Sequence, residues 1–506
     1  MHARRRAPGS RLLSRFKRLP ALAVLAVLAV MASTAAPKAH AADPALTGSF
    51  GPVVPWPLIP LHVVLLPDGR MLSYGTDDRG QQGAQYIYDV WKPAAGTGPE
   101  SHLTLPNTTP TDIFCSGQIV MPGSGKVLLT GGDLVINGTR NYSVNDVTSF
   151  DFGTNAISTV TPMSFLRWYP SVLTTAAGET LVLGGRPAPQ KSSPTPEVYT
   201  EGKGWRVLSG ATSEDAYGLR NWTYPRAWQA PNGRVFIATI WGGTYFLDPT
   251  GIGSLSQTAL KLPAGNPFLP TVMFAPGRIL SLHQGNVARV IDINGPTPTA
   301  KVVAGVGQDR YEGFATVMAD GRVLVSGGSA IDNVEFGVAR TSRIWNPVTQ
   351  RWSNGATAVK MRLYHSTSLL LPDGRVFTGG GGAPGPQNNL NAEIYTPPYL
   401  YLQDGSKQLA PRPHITAAPT VATWGQAITL QTDAAKVSRV TFLKMGSATH
   451  TVDFDQRFTA LSFSADGGQV TATLPASANL APPGYYMVFV FNELSVPSEA
   501  RILKLG

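Results

Sequence analysis

A unit of about 50 residues repeats seven times along this chain, and this repeat limits the possible folds more than any other feature of the sequence. In each copy an apolar run is followed by a tight turn, a second apolar run and then glycines, as in HVVLLPDGRMLSYG from His62. The turn glycines lie 44 to 56 residues apart, at Gly69, Gly125, Gly178, Gly233, Gly277, Gly321 and Gly374. That spacing leaves room for two further strands per copy, and four strands form a β-propeller blade. The sequence therefore predicts a seven-bladed β-propeller.

The repeat stops near residue 405, and a different pattern follows. Residues 412–506 contain short alternating strands, such as AITL from Ala427 and YMVFV from Tyr486. Alternation of this kind is typical of a β-sandwich, and the 53 Gly and 42 Pro of the chain favour turns over long helices. We expect an all-β chain, with a propeller over residues 42–404 and an Ig-like β-sandwich over residues 405–506.

The N-terminal sequence predicts export. A cluster of basic residues precedes an apolar run over residues 19–32 and the small-residue sequence Ala39-His40-Ala41. This order is that of a secretory signal peptide. The apolar run is 14 residues long, and no later run reaches the roughly 20 residues of a spanning helix. We therefore expect residues 1–41 to be a signal peptide cleaved near Ala41, and the mature protein to be secreted or extracytoplasmic, with no transmembrane segment.

The net charge does not indicate a nucleic-acid partner. Residues 1–41 hold eight Lys and Arg and no acidic residue, so their removal lowers the formal charge from +10 to about +2. Basic residues interleaved with aromatic residues, as in nucleic-acid binders, are absent from the sequence. The expected partners are small molecules, and a monomer is expected.

One cysteine and two tyrosines occupy the same phase of the repeat. Tyr364 and Tyr169 each lie 15 residues before the first glycine that closes their blade hairpin, and Cys115 lies 16 before it. Equal phase places side chains at the same end of the inner strands, so a thiol and two phenols, with the adjacent imidazole of His365, are expected to converge on the axis. Singly, each is more often a packing residue. Together they predict a site to which several blades contribute.

Four separate motifs resemble the galactose oxidase and glyoxal oxidase family of copper-radical oxidases, which have a kelch-type propeller and a C-terminal Ig-like domain. The motifs are Phe114-Cys115, Arg167-Trp168-Tyr169-Pro170, Tyr364-His365-Ser366 and the GSATHTVDFDQR sequence from Gly446. They occur in the family's order and cover the blades and the C-terminal domain. The resemblance implies a copper-radical oxidase that oxidises a small aldehyde, as its hydrate, or a primary alcohol with O2 to give H2O2.

The resemblance also implies a role for each motif residue. His365 and His450 become equatorial imidazole ligands of one copper ion, Tyr169 an equatorial phenolate and Tyr364 the axial phenol. Cys115 is joined through its sulfur to the ring of Tyr169, and the modified phenol holds the radical. Imidazole suits both oxidation states of copper, and Tyr364 serves as the general base. Alcohol oxidation removes two electrons and copper accepts one, so a radical that accepts the second is required.

The chain departs from galactose oxidase where that family carries a Trp after the glycine pair of the Tyr169 blade. Here the sequence is Gly184-Gly185-Arg186-Pro187. Trp205 or Trp222 are candidates to shield the radical instead, although packing roles are favoured for both. With only about 20 residues between the signal peptide and the first blade, we expect no N-terminal carbohydrate-binding domain. Both features favour a glyoxal-oxidase-like enzyme.

Two further hypotheses remain open at the level of sequence. Arg226 and Glu312 lie near the ligand phase on other blades and are candidates to line the substrate mouth. The alternative function is a non-enzymatic kelch-type module that binds glycan or protein. That alternative predicts degenerate residues at the five positions, whereas all five are intact.

Overall fold

The computed structural model of this protein describes residues 43–506, and the predicted signal peptide lies outside the described residues. These residues form β-strands with a few helical turns. The short helices are Pro44–Thr47, Pro93–Ala95, Pro99–Ser101, Ser209–Ala211, Glu214–Tyr217 and Pro398–Leu400. Within residues 43–506 no helix combines the length and the apolar character needed to cross a membrane.

The prediction of a seven-bladed propeller is confirmed, since each repeat forms an antiparallel sheet. Blade 1 contains His62–Leu65, Met71–Tyr74, Ile87–Trp91 and His102–Pro106. Blade 2 contains Gly117–Val120, Val127–Thr130, Val147–Asp151 and Ala156–Val160, with the hairpin Asp133–Ile136 and Thr139–Ser143 beside it. Blade 3 contains Trp168–Thr174, Thr180–Arg186, Glu197–Thr200 and Gly204–Val207. Blade 4 contains Arg226–Gln229, Val235–Ala238, Gly243–Asp248 and Ser254–Lys261.

The remaining blades complete the ring. Blade 5 contains Thr271–Ala275, Arg278–His283, Val287–Asp292 and Thr299–Val303. Blade 6 contains Phe314–Val317, Val323–Ser326, Thr341–Asn346 and Arg351–Thr357. Blade 7 contains Ser366–Leu370, Val376–Gly380 and Asn391–Thr396, and its outer strands, Ser49–Phe50 and Val54–Pro55, come from the start of the described chain. Both ends of the propeller sequence therefore meet in one blade.

The glycine pairs that close several of the hairpins allow neighbouring blades to approach closely. Gly131 has φ +73°, and a Cβ there would lie 2.1 Å from the carbonyl oxygen of Arg167 in the next blade. Gly327 has φ +65° and makes the equivalent approach, 2.5 Å, to the carbonyl oxygen of Arg362. Any larger residue would clash with that backbone and adopt an unfavourable conformation. Close packing near the axis therefore explains the glycines.

The C-terminal residues form a sandwich-like sheet of eight strands. They are Ile415–Ala417, Val421–Ala422, Ala427–Thr432, Val437–Lys444, Phe458–Asp466, Gln469–Thr473, Gly484–Asn492 and Arg501–Leu505. A hairpin of Ser447–Thr449 and Val452–Asp453 leaves this sheet and adds to the inner edge of blade 1, where His62 pairs with Thr449. A segment of the C-terminal region thus enters the propeller, next to its axis.

Candidate functional site

The site lies where the inner strands of blades 2, 3 and 7 begin. Cys115, Tyr169 and His365 occupy these positions, and all three have positive φ, at 57°, 66° and 68°. The Tyr169 N–H donates to the carbonyl of Cys115 at 3.0 Å, which links adjacent blades at this height. Positive φ is uncommon outside glycine and concentrates at functional sites. The ring of blades thus fixes the backbone from which these side chains project.

The five side chains named from the sequence come together in the structure. The Tyr169 hydroxyl lies 3.1 Å from Nε2 of His450 and 3.5 Å from Nε2 of His365, and it is hydrogen bonded to the hydroxyl of Tyr364. The Cys115 Sγ lies 3.7 Å from Nε2 of His450. The thiol and both imidazoles offer ligand atoms within 4.8 Å of one another. All are buried except Tyr364, which is partly exposed.

The outer nitrogens of both imidazoles are already bonded, so their inner nitrogens face the centre. Nδ1 of His365 donates to the Gly382 carbonyl at 2.6 Å, and Nδ1 of His450 lies 2.6 Å from Oγ1 of Thr449. The Thr449 hydroxyl donates to the Leu61 carbonyl at 3.1 Å, so it accepts from the imidazole. Partners of this kind fix the tautomer of metal-binding histidines. Each Nε2 is left with a free lone pair.

The electrostatics of the site favour a metal ion at its centre. Burial lowers the pKa of His365 to about 3 and that of His450 well below its usual value, so both rings are neutral. Burial also raises the pKa of Tyr169 well above its usual range, with the nearby Cys115 and Tyr364 adding to the shift. Two imidazole lone pairs and two phenol oxygens therefore face one another at the centre of the site. Nitrogen and phenolate donors of this type fit copper.

His450 is held at the axis by three contacts to propeller blades. The strand Ser447–Thr449 pairs with the inner strand of blade 1, and the Gln118 side chain donates to the Ala448 carbonyl at 3.1 Å. On the other side, Nη2 of Arg226 donates to Oγ1 of Thr451 at 2.6 Å. The imidazole is thus fixed from blades 1, 2 and 4, although it belongs to the C-terminal region.

His62 supports the site without facing its centre. Its Nε2 accepts a hydrogen bond from the Cys115 N–H at 3.1 Å, its Nδ1 lies 2.9 Å from Oε1 of Gln118, and its ring stacks on Tyr74 at 4.4 Å. Burial lowers the pKa of His62 to about 3, so the ring is neutral and donates through Nδ1. His62 therefore positions the backbone of Cys115. No sequence pattern predicted this role.

Three aromatic residues surround the Tyr169 ring. Trp168 lies 4.2 Å away, Tyr224 4.8 Å and Trp222 5.8 Å, measured between ring centroids. Trp205 instead packs on the blade's outer strands, with its Nε1 donating to the Thr161 carbonyl at 2.8 Å. Of the two candidate shields, only Trp222 lies beside Tyr169. Trp168 and Tyr224 were missed, although Trp168 directly precedes Tyr169 and Tyr224 opens the next repeat.

The suggestion that Arg226 and Glu312 line the substrate mouth does not match their positions. Arg226 is 8 % exposed and Glu312 is 2 % exposed. Burial lowers the pKa of Arg226 to about 9 and raises that of Glu312 well above its usual range. Arg226 instead holds the segment that carries His450.

Known proteins share both the fold and the sequence of this chain. Residues 412–505 match the family described as "Galactose oxidase-like, Early set domain". Galactose oxidase of Gibberella zeae is 30% identical over 505 residues, covering 92% of this chain and 71% of that protein. Aldehyde oxidase GLOX1 of Arabidopsis thaliana is 26% identical over 457 residues, covering 78% and 72%.

A solved structure also has the same fold as this chain. The fungal structure described as a novel alcohol oxidase with catalytic diversity among the AA5 family, in complex with copper, has a TM-score of 0.80 and 25% identity. The match covers 91% of this chain and 99% of that one. A seven-bladed propeller with imidazole and phenol donors at its axis defines the class of copper-radical oxidases. The chain belongs to the galactose oxidase family within that class.

Proposed function

We propose that this protein is a secreted oxidase that converts a small aldehyde, as its hydrate, or a primary alcohol with O2 into the more oxidised product and H2O2. One copper ion is held by Tyr169, Tyr364, His365 and His450. Tyr169, joined to Cys115 by a thioether, holds the radical. Its substrates resemble those of glyoxal oxidases. The protein acts as a monomer and does not bind nucleic acid.

One observation carries the ligand assignment. Two imidazoles, from blade 7 and from the C-terminal hairpin, present unprotonated Nε2 atoms 3.5 and 3.1 Å from the Tyr169 oxygen, which also contacts the Tyr364 oxygen. Each imidazole is fixed from behind, by Gly382 or Thr449. Neutral donors that converge in a buried space, each fixed from behind by a hydrogen bond, fit a metal site.

Two tyrosines carry out the two transfers of the proposed oxidation, one of a proton and one of a hydrogen atom. Bound copper supplies a one-electron acceptor and a positive charge that opposes the burial-raised pKa of the phenols. Tyr364 is on the exposed side and accepts the hydroxyl proton of the substrate. The oxygen of Tyr169, as a radical, removes the hydrogen atom from the substrate carbon. O2 accepts the two electrons and two protons and leaves as H2O2.

The position of Cys115 supports the thioether. It is the only cysteine of the chain, it is buried, and its side chain contacts Tyr169. Burial raises the pKa of the Cys115 thiol well above its usual range, and the contact with Tyr169 opposes that shift. A sulfur substituent donates electron density to the phenol ring and lowers its oxidation potential. The linked pair is therefore suited to hold a radical where an ordinary tyrosine is not.

The domain and export assignments form part of the same proposal. Residues 1–41 are a signal peptide removed near Ala41, residues 42–404 form the propeller, and residues 405–506 form the domain that supplies His450. The C-terminal family match over residues 412–505 supports the last boundary. Mass spectrometry of the protein recovered from the culture medium tests the cleavage position.

The decisive experiment combines a peroxide assay with spectroscopy. Copper-loaded, oxidant-treated protein is expected to show radical absorption bands and to release H2O2 from glyoxal, methylglyoxal, glycolaldehyde or benzyl alcohol. Cys115→Gly is expected to lose the radical bands and to shift in mobility on a denaturing gel, because the thioether is absent. Wild-type protein with bound copper but neither radical bands nor peroxide would support the binding-module alternative.

A further inference from the structure

Arg186 lies beside the proposed radical, at the position where galactose oxidase carries a Trp. It ends the second strand of blade 3 and pairs across the hairpin with Trp168, which directly precedes Tyr169. Its guanidinium carbon lies 4.7 Å from the centroid of the Trp168 ring and 4.4 Å from that of Trp222. Both distances are within the range of cation–π interactions. The two indoles that flank Tyr169 thus also hold a cation.

This cation has no anionic partner among residues 43–506. Each ion pair of the described chain joins other residues, so no carboxylate neutralises Arg186. Its Nε is buried without a hydrogen-bond partner. An aromatic ring face attracts the charge of a guanidinium, whereas its N–H donors lie in one plane and pair best with the oxygens of a carboxylate. The donor edge therefore lacks the oxyanion that an arginine ordinarily binds.

Arg186 also lies on the open side of the site. Cys115, Tyr169, His365 and His450 are buried, whereas Tyr364 is partly exposed. The residues around this opening are likewise partly exposed; they are Arg186, Trp222 and Phe268, and the Phe268 ring packs edge-on against Tyr364 at 5.6 Å. On this partly exposed side Phe268 contacts Tyr364, and Arg186 lies against Trp222.

We infer that Arg186 binds the carboxylate of the substrate, so that the preferred substrates are small oxo- or hydroxy-acids whose carboxylate is next to the reacting carbon. This inference rests on the proposed function, which it deepens. A carboxylate would receive the two parallel hydrogen bonds that a guanidinium edge provides. Glyoxylate is the simplest such substrate. Its hydrate would lose two hydrogens to become oxalate, and O2 would gain the two protons and two electrons to become H2O2.

The test compares a charged substrate with a neutral one of nearly the same shape. Peroxide release from glyoxylate and from methyl glyoxylate is measured for the wild-type protein, Arg186→Gln and Arg186→Lys. Arg186→Gln is expected to lower kcat/KM for glyoxylate about 10- to 100-fold, mostly through KM, because charge-assisted hydrogen bonds are lost. For methyl glyoxylate the change is expected to be below about threefold. Arg186→Lys, which keeps the charge, is expected to recover part of the preference.

A matched control and a metal-free measurement separate this inference from the proposed function. Arg234 also stacks on an aromatic ring, 4.2 Å from the Phe246 centroid, beside the Asn232-Gly233 turn and remote from Tyr169. Arg234→Gln is therefore expected to leave both substrates unchanged. Acetate is titrated into metal-free protein at constant ionic strength while tryptophan fluorescence is recorded. Acetate is expected to alter the emission of the wild-type protein and not that of Arg186→Gln.

The outcomes are distinct. Equal loss for glyoxylate and methyl glyoxylate in Arg186→Gln, or acetate binding that does not depend on Arg186, would overturn the anion site while leaving the oxidase intact. Wild-type protein that releases no peroxide from either substrate, yet binds acetate through Arg186, would overturn the proposed function and retain the anion site.

Discussion

The proposed copper ligands are held in place in two different ways. Tyr169 and His365 begin the inner strands of blades 3 and 7, where positive φ and contacts between blades fix the backbone. His450 lies on a two-stranded hairpin that leaves the C-terminal sheet and pairs with blade 1. The positions of Tyr169 and His365 depend on the closed ring of blades. The position of His450 depends on the contacts that hold a short hairpin.

This difference shows where the site is open to change. A residue within the ring is constrained by neighbouring blades on both sides, so its replacement disturbs packing as well as chemistry. The hairpin is fixed by Gln118, Arg226 and the pairing of His62 with Thr449. Substitutions at His450 and Thr449 therefore test the contribution of the hairpin to the proposed copper site.

The largest effect is expected from removing the hairpin's ligand. His450→Ala should lower copper affinity more than about 100-fold and peroxide formation more than about 1000-fold, since one of two imidazoles is lost. Copper content after gel filtration and the peroxide assay measure both. His414→Ala is the matched control, because His414 lies in the same C-terminal region and its side chain is 71% exposed. A His450→Ala protein with full copper content would show that the ring residues bind the metal alone.

A smaller effect is expected from loosening the same imidazole. Thr449→Val removes the hydroxyl that accepts from Nδ1 of His450 while keeping the side-chain shape. Copper affinity should fall about 10- to 100-fold, as for other residues that orient metal ligands. Thr449→Ser should restore affinity to within about threefold of wild type. Competition with a copper chelator gives the values, and equal affinity for the Val and Ser variants would contradict this role.

The smallest effect is expected on the free energy of unfolding, which should depend on pH through His62 in blade 1. Its pKa is lowered to about 3 in the folded protein from its usual 6.5, so the unfolded chain binds more protons between these values. The stability from this group is therefore complete above pH 6.5 and is lost as pH falls toward 3, at up to about 1.4 kcal/mol per pH unit. Denaturant unfolding of metal-free protein from pH 8 to pH 4 measures it.

His62→Phe isolates that contribution, because the other buried histidines remain. The variant should be about 1–3 kcal/mol less stable at pH 8, since the Cys115 N–H and the Gln118 side chain lose their partner. Its stability should also depend less steeply on pH than that of the wild-type protein. Parallel pH profiles would show that His62 does not become protonated on unfolding in this range.

Much of this architecture could be predicted from the sequence because each repeat encodes its own strands and turns. Turn glycines at regular spacing define the hairpins, and equal phase correctly indicated that Cys115, Tyr169 and Tyr364 converge. The position of His450 was available only through the family resemblance. Its strand pairs with residues almost 400 positions earlier, and no local pattern encodes such a contact.

The remaining features depend on packing between distant blades. Trp222 was expected to be a packing residue, yet it lies beside Tyr169 and Arg186. Arg226 was considered for the mouth, yet its side chain is buried against Thr451. In each case the direction of a side chain is set by a neighbouring blade, which single-chain patterns do not reveal.

The strands Ser49–Phe50 and Val54–Pro55, which complete blade 7, have a consequence for biosynthesis. They reinforce the blade that presents Tyr364 and His365, while His450 arrives from the opposite end of the chain. The proposed copper site consequently depends on segments about 400 residues apart, near residue 50 and near residue 450. A ribosome must therefore synthesise the chain beyond His450 before the proposed ligands can all come together.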